Sequence, residues 1–368
     1  MRIVIAALLL AGCAGRGSVE DDRLALARKC AAWIESQPPS EKASLYSGSA
    51  GVALFQIAMH RATGETRYLE LARAAAERMA SQNHPDGGLY TGEAGAGLVF
   101  LELRDPRAAE IAGRVTWGKG LDVISGAAGI GLFLIRAGRL DRAREAGDFV
   151  LGHGPPWLVE VGDKTLYPNF AHGTSGVAFF LAALYSATKD DRYLRSAVAG
   201  AEWLQERSQD GAWFHHESGG KELFYAGWCH GPAGTARLFW LLHRITREQR
   251  WLDAVHRCAT WTLACRRPTA GWWNVSLCCG TAGIGEFMID LHRATGVAEY
   301  RDFAEKLAAE LIASATAEGP GLKWIQAEHR VKPKDVAAQT GLMQGAAGIG
   351  IFFLKLGGRI ELLPDNPF

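Results

Sequence analysis

Three of the seven cysteines stand where their chemistry can be shared. Cys229 lies in Trp228-Cys229-His230-Gly231, and Cys278 and Cys279 lie in Leu277-Cys278-Cys279-Gly280. Each group immediately precedes a Gly-x-x-Gly and an apolar run, so the thiols occupy one repeated place in two consecutive units. Three thiolates with an open fourth position match a catalytic zinc site, because Zn2+ takes sulfur ligands tetrahedrally and keeps one position for substrate. His230 is a candidate fourth ligand or a neighbouring acid or base. The rival reading is three buried thiols without a metal.

Two more residues belong to this group by position. His172, in Ala171-His172-Gly173, stands just before its own Gly-x-x-Gly. Asp122 lies four residues before Gly126, suited either to orient and charge-balance a histidine or to cap a helix. Cys30, Cys258 and Cys265 read as small buried apolar groups. Cys258 and Cys265, seven apart on one helix face, are separated by about 10 Å along the axis, too far for a disulfide.

The elements that must carry these residues repeat. Gly-x-x-Gly occurs seven times, opening at Gly48, Gly92, Gly126, Gly173, Gly231, Gly280 and Gly345. Each is followed by a mostly apolar helix-length run, such as residues 52–60, 177–185 and 349–357, which predicts a helix buried on all sides. Amphipathic segments lie between them, several opening with a shared pattern at Thr66, Asp191 and Gln249. A solenoid needs polar capping units at its ends, and the first and last inner runs are apolar. The chain is therefore expected to close into an all-α, α/α toroid of seven inner and seven outer helices. The glycines are expected to let helix starts crowd together, with their free N–H groups forming a positive rim around a central cavity.

The composition fits one large globular domain or two ordinary ones. The chain has 368 residues, 48% hydrophobic and 21% charged, and a formal charge of +1. That balance excludes a disordered chain and a bulk electrostatic grip on nucleic acid. The 44 glycines exceed the usual share of about 7%, which the repeats explain. At the N-terminus, Arg2 precedes an apolar run too short to span a bilayer. Leu10-Ala11-Gly12-Cys13 resembles the lipobox of bacterial lipoproteins. The expected organisation is a signal peptide over 1–12, a tether over 13–20 and the toroid over 21–368, with the protein anchored in the cell envelope through a lipidated Cys13; without that signal it is cytoplasmic.

The seven repeats, Trp-Cys-His-Gly at 228–231, Cys-Cys-Gly at 278–280 and His-Gly at 172–173 together resemble the lanthionine synthetase C-like family over residues 21 to 357. The resemblance implies an α/α toroid with a zinc ion in its cavity, held by Cys229, Cys278 and Cys279. It implies that His172 is the acid that protonates the α-carbon after thiol addition to dehydroalanine or dehydrobutyrine, and that Asp122 tunes the charge of His172 or positions the peptide. His230 stands where members carry Tyr or His. Several bacterial cyclases carry an Arg four residues before the first zinc cysteine; here that residue is Tyr225.

Two function classes follow. One is zinc-dependent addition of a thiol, from a peptide or from a small thiol such as glutathione, to a dehydroamino acid. The other is a non-catalytic, membrane-anchored toroid that binds peptides in its cavity. The expected form is a monomer. A carbohydrate-active toroid needs paired carboxylates at the cavity mouth, for which only Asp122 and Glu93 offer themselves.

Overall fold

The computed structural model describes residues 22–358, apart from 83, 85, 217–222 and 266–270, together with 363 and 365–368. The signal peptide, tether and Cys13 expected from the sequence lie outside the described residues.

Fourteen α-helices alternate along the described residues. The inner set is α2 (Ser49–Thr63), α4 (Glu93–Glu102), α6 (Ala127–Arg136), α8 (Thr174–Thr188), α10 (Pro232–Thr246), α12 (Thr281–Thr295) and α14 (Ala346–Leu356). The outer set is α1 (22–36), α3 (Thr66–Ala80), α5 (Arg107–Arg114), α7 (Leu140–Leu151), α9 (Asp191–Glu206), α11 (Gln249–Ala264) and α13 (Ala298–Ser314). Each inner helix packs on the next, and α14 packs on α2, so the ring is closed. The outer helices α3, α9 and α11 begin at Thr66, Asp191 and Gln249, where the shared sequence pattern starts. Inner helices bury nearly their whole surface, as their apolar sequence requires.

Two short antiparallel hairpins interrupt the alternation between α13 and α14. β1 (Thr316–Glu318) pairs with β2 (Gly321–Lys323), and β3 (Ile325–Ala327) with β4 (Val336–Ala338). They account for the widest spacing between repeats.

The glycines serve a second purpose besides the crowding of neighbouring units expected from the sequence. In each unit the chain before the inner helix folds back over the first helical turn. A Cβ on Gly283 would meet the Leu277 carbonyl oxygen, and one on Gly280 the Asn274 carbonyl. The same contact, six residues back, recurs at Gly51, Gly95, Gly129, Gly176, Gly234 and Gly348. The crowding is thus between a loop and its own helix and also between neighbouring units: a Cβ on Gly51 would meet Leu342 Cβ at 2.6 Å, and one on Gly234 would meet Phe170 Cβ at 2.8 Å. The N–H groups are also spoken for: Ser49, Glu93, Ala127, Thr174, Thr281 and Ala346 each donate to the carbonyl seven residues earlier, at 2.8–3.2 Å. The seventh helix opens with Pro232, which has no N–H to satisfy. Because the loop carbonyls consume these donors, the positive rim expected from free helix N-termini is not formed.

These loops are stitched into a closed circle. Tyr46 N donates to Tyr90 O (2.9 Å), Tyr90 N to Ile124 O (2.9 Å), Val123 N to Ala171 O (3.2 Å) and Ala171 N to Cys229 O (2.8 Å). Cys229 N then donates to Cys278 O (3.2 Å), Cys278 N to Met343 O (2.9 Å) and Met343 N back to Tyr46 O (2.8 Å). Seven main-chain bonds therefore join all seven units at one end of the ring.

The inner helices are less purely apolar than their patterning predicts. Arg237, Glu286, Asp290 and Lys355 are buried within the ring. Lys355 Nζ lies 2.6 Å from both Glu286 Oε1 and Asp290 Oδ2. The C-terminal segment joins them: Arg237 Nη1 donates to the Asp365 carbonyl at 2.9 Å, and Phe368 stacks on Trp240.

Candidate metal centre

The circle of loops sets the site. Counted back from the first glycine of each unit, the second position back holds Tyr46, Tyr90, Ile124, Ala171, Cys229, Cys278 and Met343. The position directly before the glycine holds Ser47, Thr91, Ser125, His172, His230, Cys279 and Gln344. Because every unit adopts the same loop, many of the side chains at these positions line one cavity.

The three sulfurs of Cys229, Cys278 and Cys279 all lie within 4.8 Å of one another and are buried. Cys279 Sγ is 3.3 Å from Cys229 Sγ and 3.2 Å from Cys278 Sγ. Tetrahedral ligands at a Zn–S distance of about 2.3 Å stand about 3.8 Å apart, so these two separations need to open by only about half an ångström. Tyr46 Oη donates to Cys278 Sγ at 3.3 Å, and Gln344 Nε2 donates to Tyr46 Oη at 2.8 Å. A cluster of soft donors, buried and held by outer hydrogen bonds, fits a zinc ion.

The thiols share charge unequally. Burial raises the pKa of Cys278, but hydrogen bonds from Cys229, Cys279 and Tyr46 outweigh it and bring it well below the usual thiol range. Cys229 and Cys279 are raised, chiefly by their sulfur neighbours. Thiolate charges this close oppose one another. A divalent cation offsets that repulsion.

His172 faces the same cavity. Its Nδ1 is 2.6 Å from Asp122 Oδ2, and Asp122 is fully buried. The other oxygen, Oδ1, accepts from the amides of Ser125 and Gly126 at 2.9 Å each. Asp122 thus both ties its loop and holds the histidine. The His172 ring lies deep in the barrel yet is 37% exposed, because it faces the cavity. Burial alone would strip its proton, but the hydrogen bond and charge of Asp122 prevail, and its pKa is raised.

His230 is placed differently. Its ring stacks on His172 at 5.6 Å and packs on His215 at 4.2 Å. Neither it nor His172 contributes a nitrogen to the sulfur cluster. Burial holds His230 well below the normal imidazole range and pushes His215 down to about 4. Of these three cavity imidazoles, His172 is the one whose pKa is raised. Separation of pKa values among neighbouring groups is how a site assigns an acid.

The cavity measures about 240 Å³ and is lined by the three cysteines, Tyr46, His172, His215, Tyr225, His230, Trp273, Arg330 and Gln344, among others. Tyr46 and Gln344 are missing from the sequence reading, although they sit at the same repeated positions as Cys278 and Cys279. Arg330, between β3 and β4, lies outside the repeats and offers no such signal. Glu93 lies elsewhere, in an outer groove of about 590 Å³, where it pairs with Arg114. With Asp122 committed to His172, the paired carboxylates of a glycosidase are not assembled from these two residues. Among the other cysteines, Cys30 and Cys258 are buried in α1 and α11, and Cys265 directly follows α11.

With this geometry established, comparison with known proteins places the chain. A family model described as lanthionine synthetase C-like protein matches residues 39–105 and 119–361. The chain belongs to the lanthionine synthetase C-like family. Among solved structures it is similar to nisin cyclase, with a TM-score of 0.67 and 16% identity over 90% of this chain and 93% of that one. The Lin0763 protein from Listeria innocua has a TM-score of 0.54 at 16% identity, covering 84% of each chain. The α-1,6-mannanase of a Salegentibacter species, at 11% identity, covers 91% of this chain and 98% of its own with a TM-score of 0.56. At such identities the likeness shows the toroid and no more; the family rests on the sequence match.

Proposed function

We propose that this lanthionine synthetase C-like protein adds a thiol to a dehydroalanine or dehydrobutyrine residue, with zinc held by Cys229, Cys278 and Cys279. The observation that carries this reading is one cavity lined by three converging thiols and by a histidine whose proton is secured by a buried carboxylate. Zinc bound there lowers the pKa of an incoming thiol, which otherwise lies near 8.5.

The chain's own residues do the remainder. The thiol gives up its proton to solvent, and its sulfur bonds to the β-carbon. The C=C π pair moves towards the neighbouring carbonyl oxygen as an enolate. His172, held at Nδ1 by Asp122, delivers the proton at Nε2 to the α-carbon, a role worth about 10²–10⁴-fold. No electrons leave the system, so no oxidant or reductant is needed. The thiol donor is a peptide cysteine or a small thiol such as glutathione. Loss of the free-thiol signal on a dehydroalanine probe, followed in wild type and His172→Ala, tests the reaction. Zinc stoichiometry in wild type and Cys278→Ala tests the centre, with about one zinc in the first and none in the second expected. Equal rates with and without His172, or no zinc in either protein, overturn the proposal.

The lipobox-like Leu10-Ala11-Gly12-Cys13 supports a lipid anchor at Cys13. Palmitate labelling of wild type, absent in Cys13→Ala, is the expected result.

A further inference from the structure

We propose that Arg330, delivered from the β3–β4 connection, is the residue that holds the carbonyl oxygen of the acceptor while the enolate charge develops on it. The inference rests on the thiol-addition reading above and adds a residue the repeats do not contain.

Arg330 lines the cavity that also holds the three sulfurs and His172. Its Nε donates to the Tyr225 hydroxyl at 3.3 Å. Among the described residues no ion pair or hydrogen bond engages its two terminal nitrogens, although Glu328 lines the same cavity and is bound by Gln339. A guanidinium keeps its charge at any physiological pH and presents a rigid fork of donors. Here one side of the fork is anchored on a phenol and the rest is left for a ligand.

The other donors are committed or weaker. Tyr46 gives its hydroxyl to Cys278. The His215 and His230 rings are packed against each other, and His230 is also stacked on His172. The proton of His172 is destined for carbon. Arg330 is the cationic donor left to meet the oxygen, and charge-assisted hydrogen bonds are about twice as strong as neutral ones. Tyr225 then acts as the post that positions the guanidinium.

The test uses the full-length, zinc-loaded protein with N-acetyldehydroalanine methylamide and glutathione as probes. Arg330→Gln is expected to lower kcat by about 10²-fold, as for loss of one oxyanion donor, with KM within about twofold. The saturated analogue, N-acetylalanine methylamide, followed by Trp fluorescence, should bind both proteins within about twofold, because its carbonyl develops no charge. Added guanidinium should restore part of the rate to Arg330→Ala and leave wild type unchanged. An active wild type matched by Arg330→Gln overturns this role alone. Weakened binding of the saturated analogue that accounts for the whole loss also overturns it, since Arg330 then serves binding rather than the reaction. A wild type that adds no thiol overturns the thiol-addition reading and this role with it.

Discussion

Asp122 holds Nδ1 of His172 at 2.6 Å across fifty residues of sequence, and it does so with the oxygen its own loop leaves over. Asp122→Asn removes the charge that raises the His172 pKa while retaining most of the loop's hydrogen bonding. The sign follows from the raised pKa. The pair's contribution is fully present below the unfolded imidazole value of about 6.5 and is lost as pH rises through the raised folded value. Thiol addition by wild type should therefore fall on the alkaline side, and the falling limb should move to lower pH in Asp122→Asn. A pH–rate profile of both proteins checks this; an unmoved limb assigns the titration to another group.

The C-terminal segment is expected to matter for stability. Asp365 is fully buried, accepts from Trp228 Nε1 at 2.9 Å and lies 3.4 Å from Arg237. Asp365→Ala leaves the buried Arg237 short of a partner, a loss that costs about 3–5 kcal/mol in comparable pairs. Urea unfolding should show a lower midpoint at an unchanged slope. Because Trp228 precedes Cys229, zinc affinity measured in the same variant should also weaken.

Acid should release the same core. Burial raises the carboxyl of Glu286, but the charges of Lys355 and Arg237 outweigh it and hold its pKa below 4.5. Its stabilisation is present above that unfolded value and is lost as pH falls through the lowered one. Unfolding midpoints measured downward from pH 5 should drop, and should drop less in Glu286→Gln, which has no proton to gain there.

Metal should stabilise the ring because the three cysteines that would hold it come from two units. At a free zinc concentration about 100 times Kd the gain is about 2.7 kcal/mol. A chelator should lower the Tm of wild type and leave Cys278→Ala unchanged. Identical shifts in the two proteins would place the metal elsewhere.

A glycine of the repeat should resist the smallest substitution. A Cβ at Gly283 meets the main chain of Leu277, which cannot swing away as a side chain would. Gly283→Ala should cost at least about 1–3 kcal/mol and disturb Cys278 and Cys279 through the loop they share. Thermal denaturation and zinc content read both effects.

Periodicity alone determined the toroid. Seven glycine pairs, each ahead of an apolar run, leave one way to bury every inner face, which is to close the ring. Position within the repeat also carried the thiols and His172 to one place, since equal loops put equal positions side by side. The same register would have found Tyr46 and Gln344, had polar residues been followed as closely as cysteines. That the glycines also let a loop cross its own helix was decided in three dimensions, because such a crossing leaves no mark in the sequence that distinguishes it from helices crowding together. Arg330 and Asp365 belong to that second class. Each enters from a segment outside the repeats, and its partner is fixed by contacts formed only when the ring has closed: Tyr225 lies 105 residues from Arg330 and Trp228 lies 137 residues from Asp365.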